Sequence, residues 1–167
     1  MVSRVLQTPA AAELIRKLEA QHGPVMFHQS GGCCDGSSPM CYPDGEFIVG
    51  DRDVLLGVLD PSEDVSDDEP ARGVPVWISG SQFVAWKHTQ LVLDVVRGRG
   101  GGFSLESPEG VRFLTRGRVL TGSEQESLAA QPPLVGADVE ANGLPTPTRP
   151  TLISDEDYAE VCVPTLP

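Results

Sequence analysis

The sequence predicts an α+β domain with a mostly antiparallel sheet, one N-terminal amphipathic helix and a Pro-rich acidic C-terminal tail. Three observations carry that prediction. Thr8-Pro9 opens the one long stretch with helical spacing of apolar residues. About six short β-rich segments follow it, punctuated by glycine, proline and acidic residues. The charge is also lopsided: of the net −12 on 167 residues, residues 121–167 carry eight acidic side chains against Arg149 alone.

Each element follows from local chemistry. Thr8 is a good N-cap and Pro9 suits the first helical position, where its missing N–H costs nothing. Ala11, Leu14, Ile15 and Leu18 then lie on one face and Gly23 supplies the stop, predicting a helix over 9–22. Residues 25–29 read as a strand. Residues 30–46 hold four glycines, two prolines and three cysteines and read as a loop. Residues 47–49 and 54–59 are β-rich, and the run PSEDVSDDE over 61–69 is an acidic surface loop. A strand over 74–78, a short helix over 81–86 and an alternating strand over 90–96 follow. Two β segments, 103–105 and 111–114, flank Ser107-Pro108-Glu109-Gly110, which suits a type I turn. Residues 1–120 are therefore expected to form the cysteine-loop domain. Residues 121–150 read as a flexible linker, with seven of the 15 prolines in the tail as a whole. The last stretch regains Leu152, Ile153, Tyr158 and Val161 among acidic residues, so it is either a solvated tail or a docking segment.

Composition removes several function classes. Strong acidity argues against nucleic-acid and anionic-membrane partners, which need a basic patch. No apolar run approaches the roughly 20 residues of a membrane span. The opening MVSRVLQTPAAAELIRKLE lacks the apolar core of a secretory signal, so a soluble, cytoplasmic protein is expected. Four cysteines are too few for a disulfide-stapled scaffold.

The informative segment is FHQSGGCCDGSSPMC, residues 27–41. Three of the four cysteines, Cys33, Cys34 and Cys41, fall there, and His28 lies five residues before the first; Cys162 stands apart in the tail. Thiolates and neutral imidazoles are the ligands that zinc, iron and copper select. Gly31, Gly32 and Gly36 let neighbouring side chains turn toward one centre. The candidate ligands are Cys33, Cys34, Cys41 and His28, with His88 or a second chain completing the set. The spacing, Cys33-Cys34 and C-x6-C, is not that of a zinc finger. A redox or nucleophilic thiol site competes with the metal reading, with Cys33 or Cys34 attacking and Cys41 resolving. So does simple packing of buried cysteines. Asp35 could orient a ligand or act as a base. No Ser-His-Asp set is evident. Residues 97–103, RGRGGGF, read as a turn rather than a phosphate loop, since no Gly-Lys-Ser/Thr ending follows. Trp86 reads as core, and His88 as structural unless it faces the cysteine loop.

The run GPVMFHQSGGCCDGSSPMCY, with DVLLG at 53–57, WKHT at 86–89 and GFSLE at 102–106, resembles domain-of-unknown-function family 779 over roughly residues 4–120. That resemblance implies encoding beside aldehyde dehydrogenases, and hence an aldehyde dehydrogenase as partner. A more distant likeness is to the A-type iron–sulfur carriers of HesB-like fold. TPAAAELIRKL, the Gly31-Gly32-Cys33-x-Asp35-Gly36 loop and the segment from Gly102 to Pro108 carry it. It implies that Cys33 matches the carriers' first ligand. Their C-terminal Cys-x-Cys pair has no counterpart here, and Cys34 and Cys41 would replace it. The expectation is a non-catalytic accessory protein holding iron, zinc or an iron–sulfur cluster near a homodimer interface. The alternatives are a thiol redox protein or thiol enzyme, and an interaction module that binds a dehydrogenase through its acidic tail.

Overall fold

A computed structural model describes residues 2–30, 39–62, 73–98, 103–147 and 151–161. Cys33, Cys34, Asp35, Cys162, the acidic stretch 63–69 and the glycines 100–102 lie outside the described residues.

The helix forms where its caps place it. α1 runs Pro9–His22, and the Thr8 hydroxyl accepts from the Ala11 N–H while donating to Asp94 Oδ1 at 2.9 Å. At the other end Gly23, with φ +79°, takes a backbone conformation that a side chain would resist. Among the described residues there are seven strands: β1 Val5–Gln7, β2 Val25–Gln29, β3 Met40–Pro43, β4 Val54–Leu59, β5 Val74–Ile78, β6 Thr89–Arg97 and β7 Val111–Val119. A short helix, α2, Gly80–Trp86, crosses from β5 to β6.

The strands make two sheets, ordered β1-β6-β7 and β3-β2-β5-β4. Both are mixed. β1 pairs parallel with β6 and β2 parallel with β5, while the other pairings are antiparallel. The protein is thus α+β with mixed sheets. The parallel partners, β1 with β6 and β2 with β5, are far apart in sequence, so the chain returns to each sheet by a crossover rather than by a hairpin.

One face of each sheet turns inward. Val5, Phe27, Val76, Leu91, Leu93 and Phe113 from both sheets meet Ala11, Ile15 and Leu18 of α1 in one buried cluster. Phe27 and Phe113 join the sheets edge to face, with ring centroids 4.7 Å apart. The outer face of the four-stranded sheet has its own apolar group, Met26, Leu55, Val58 and Trp77, covered by Phe47, Val49 and Val139. On the three-stranded sheet, Leu6 and Val92 are covered by Ile153 and Val161 from the tail.

Several expectations need correction. β3 falls within the expected loop; Pro39 and Pro43 hide it, and as an edge strand it tolerates them. Residues 47–49 and 103–105 are not strands. Phe47 and Val49 serve as an apolar lid, and the Leu105 N–H bonds the Cys41 carbonyl at 3.0 Å. Residues 107–109 form a 3₁₀ turn closed by Gly110 with φ +73°. Trp86 is not core: it is 39 % exposed.

Where composition reads a linker, the structure holds two helices, α3 Gly122–Ala129 and α4 Gly136–Asn142. A third short helix, α5 Asp155–Tyr158, follows residues 151–153, which lie along β1 through Gln7 N–H to Thr151 O and Ile153 N–H to Gln7 O bonds. Tyr158 donates to Asp94 Oδ2 at 3.0 Å. Residues 151–161 therefore dock on the domain formed by the preceding strands.

α3 begins with a capping box: Thr121 Oγ1 accepts from the Glu124 N–H, and Glu124 Oε1 accepts from the Thr121 N–H. The Arg118 guanidinium also grips Glu124, at 2.7 and 3.2 Å. This hydrogen bond first, and the Thr121 N–H with it, holds the Glu124 carboxyl at about 2, against partial burial that pulls the other way. A carboxyl whose folded value lies below its unfolded one stabilises the fold fully above the unfolded value, and that contribution is lost as pH falls toward the folded one. Glu124→Gln, which can still close the capping box, should therefore shrink the loss of stability between about 4.5 and about 2. Buried Glu106 acts oppositely, because burial raises its carboxyl. The readout is thus the difference between variant and wild-type melting curves across that range; parallel curves would contradict it.

Candidate functional site

The side chains singled out by the sequence distribute themselves by strand alternation. In an antiparallel ladder, residues directly opposite share a face, and successive residues alternate. Phe27 is opposite Cys41, and His28 is opposite Met40. Phe27 and Cys41 face the inter-sheet core, whereas His28 faces the outer side, next to Trp77 on β5.

Cys41 is fully buried. Its N–H donates to Ser104 Oγ at 2.9 Å, and Ser104 in turn hydrogen-bonds Glu106. Burial pushes the Cys41 thiol well above its ordinary range, and the nearby Glu106 and Glu19 carboxylates push it further. A thiol so held stays protonated in the metal-free fold and is a poor nucleophile. Cys41 is therefore a core residue that the structure keeps apart from His28, against the expectation that both would reach one centre.

His28 is 4 % exposed and makes contacts at both ring nitrogens. Nε2 lies 2.9 Å from Asp53 Oδ2, and Nδ1 lies 2.8 Å from Ser30 Oγ. A carboxylate only accepts, so Nε2 carries the hydrogen toward Asp53; in a neutral ring, Nδ1 then accepts from the Ser30 hydroxyl. Phe47 lies over the ring, centroids 4.4 Å apart. The orientation of the imidazole is thus set on three sides, and its lone pair points to Ser30, the exposed residue that leads into the cysteine loop.

Asp53 is held in turn. Its Oδ2 accepts from the Gly50 N–H at 2.9 Å, and its backbone carbonyl accepts from the Gly136 N–H at 2.9 Å. Leu55 N–H bonds Leu134 O, so the chain just before α4 pairs with the start of β4 behind Asp53. Gly136 is required there: a Cβ would run into the Gly50 carbonyl. The C-terminal extension therefore buttresses the loop that carries the histidine's partner.

The sequence reading missed this Asp53–His28–Ser30 chain. Ser30 was available to it, since positions two apart on a strand share a face. Asp53 was not, because only the packing of the turn before β4 brings it to His28.

His88 is elsewhere. It is exposed and precedes β6 in the other sheet, beyond α2. α2 starts beside the site, with the Ser79 N–H on Gln29 O, and its seven residues carry the chain about 10 Å away. His88 shares a cleft with Arg4 and Lys87, a setting hostile to a cation. Among the described residues, no group of three or more His, Cys, Asp and Glu side chains is arranged to hold a metal ion. The described part of the site is His28 with Asp53 and Ser30. No helix among the described residues is long and apolar enough to cross a membrane.

The family model described as Domain of unknown function (DUF779) matches residues 14–119. That span takes in α1 from Leu14 onward, the cysteine loop, His28, Asp53 and both sheets except β1. No curated protein and no solved structure matches the chain.

Proposed function

We propose a function for a chain that belongs to domain-of-unknown-function family 779: it is a metal-binding accessory protein whose Cys33 and Cys34 thiolates act with the His28 imidazole. One observation carries this reading, the clamp of His28 Nε2 on Asp53 with Nδ1 turned toward Ser30. Metal-ligating histidines characteristically donate their second N–H to a carboxylate, which sets the tautomer and raises ligand basicity. Ser30, whose hydroxyl occupies the Nδ1 lone pair, precedes Cys33 by only three residues in the chain, and a metal would take its place on Nδ1. Thiolate and imidazole together select zinc or iron, or an iron–sulfur cluster. Cys41 and His88 are not part of this set. Service to an aldehyde dehydrogenase, a homodimer and the HesB-like carrier likeness rest on the resemblances alone and complete the proposal.

The test is metal analysis with ultraviolet–visible absorption on anaerobically purified full-length protein. Near-stoichiometric metal is expected in wild type, in His88→Ala and in Cys41→Ala. Cys33→Ser and Cys34→Ser should each lose it, and affinity should weaken as pH falls, because the thiolates reprotonate. A folded, metal-free wild type overturns the reading.

The same histidine favours a second reading, a reactive thiol. An imidazole whose Nδ1 lone pair faces the loop can take the proton of Cys33 or Cys34 and leave a thiolate. Metal-free protein in which one of these cysteines is alkylated quickly at neutral pH, and slowly in His28→Ala, would support it. Cys41 is not its resolving thiol, since it faces the core. The third expectation, a tail that binds a dehydrogenase, is disfavoured by the docking of residues 151–161 on β1.

A further inference from the structure

We infer that the cleft between the end of α2 and the end of α3 binds a small organic anion, a carboxylate carrying a short apolar body. The cleft encloses about 320 Å³, within the size of ordinary small-molecule sites. Its walls are apolar, with Phe83, Leu128 and the Pro132-Pro133 step, and its polar groups are Arg4, Lys87, His88 and Gln125. No aspartate or glutamate lines it, although the chain carries 24 acidic against 12 basic residues. Two of those few cations, Arg4 and Lys87, therefore line one carboxylate-free cleft of a protein with net charge −12.

The cations are arranged for a ligand rather than for the fold. Arg4 is fixed in place by bonds from one terminal nitrogen to the Leu128 and Gln131 carbonyls, at 2.9 and 2.7 Å. A guanidinium has five N–H donors, so three remain. The Lys87 ammonium and the His88 ring have no hydrogen-bond or ion-pair partner among the described residues. A held guanidinium and an unpaired ammonium lining one cleft offer a carboxylate two cationic groups. Phe83 and the proline step give an apolar body a surface that a hydrated inorganic anion would not use. The cleft lies in the other sheet's half of the molecule and is separate from the His28 site.

Benzoate is a suitable probe, titrated into the full-length chain by calorimetry with saturation-transfer NMR, against benzamide and inorganic phosphate. Saturable one-to-one binding of benzoate is expected, with benzamide and phosphate each weaker by about tenfold or more. Lys87→Ala should weaken benzoate by about tenfold. Ala129→Trp, at an exposed position that should leave folding intact, should abolish binding by filling the cleft. No saturable benzoate binding, benzamide or phosphate binding as tightly as benzoate, or unchanged affinity in both variants would each overturn the assignment.

Discussion

Replacing Phe27 with alanine should cost about 3–5 kcal/mol of folding stability, among the largest losses available to a single substitution here. Phe27 is fully buried and meets Phe113 edge to face at 4.7 Å, so its ring is a direct contact between the two sheets. Removing it deletes apolar contact area, leaves a cavity that strands pinned on both sides cannot collapse, and forfeits the aromatic pair. It also opens the space beside Cys41, which lies opposite Phe27 in the ladder. Denaturant unfolding followed by circular dichroism measures the effect. The midpoint should fall with the slope unchanged. A loss under about 1 kcal/mol would mean that the sheets are not packed through this ring.

On the metal-binding proposal, Asp53→Ala should weaken metal binding by about 10–100-fold while leaving the domain folded. Asp53 would act on a metal through His28, so it is a positioning residue: it receives the Nε2 hydrogen and holds the ring with Nδ1 toward Ser30. Without it the imidazole can rotate or change tautomer, and the ligand must be ordered again at each binding event. Competition titration with a chromophoric chelator gives the affinity. Nitrogen-15 NMR of the histidine ring supplies a readout that a merely structural role would not move: wild type should show the hydrogen on Nε2, and the variant a mixture. A variant with the wild-type tautomer and unchanged affinity would remove Asp53 from the site. Some stability is also lost, on the order of 1 kcal/mol, because the Gly50 N–H gives up its acceptor.

Local chemistry was enough to read much of the fold. Thr8, Pro9 and Gly23 bound α1, and the runs 25–29, 54–59 and 74–78 form strands over those spans, because caps, positive-φ glycine and β-branched residues act within a few positions. Short or disguised elements were not readable in this way. β1 has three residues, and β3 is bracketed by prolines that an edge strand accepts. The capping box of Thr121 and Glu124 is present in the sequence, but the proline and acid content around it suggested a linker.

The candidate site divides along the same line. The sequence by itself identified the cysteine loop and His28, because thiols and imidazole crowded among glycines are chemically conspicuous wherever they fold. It also led to the α+β class and the acidic C-terminal region. Tertiary structure decided which of those groups can act together. Strand alternation turned Cys41 into the core and His28 away from it, a crossover helix carried His88 into a cationic cleft, and the turn before β4, braced by Gly136, delivered Asp53 to the ring. These placements depend on pairing register and on contacts between residues 25 or more positions apart. Periodicity along the chain does not encode them, since they exist only once the two sheets have closed on a common core.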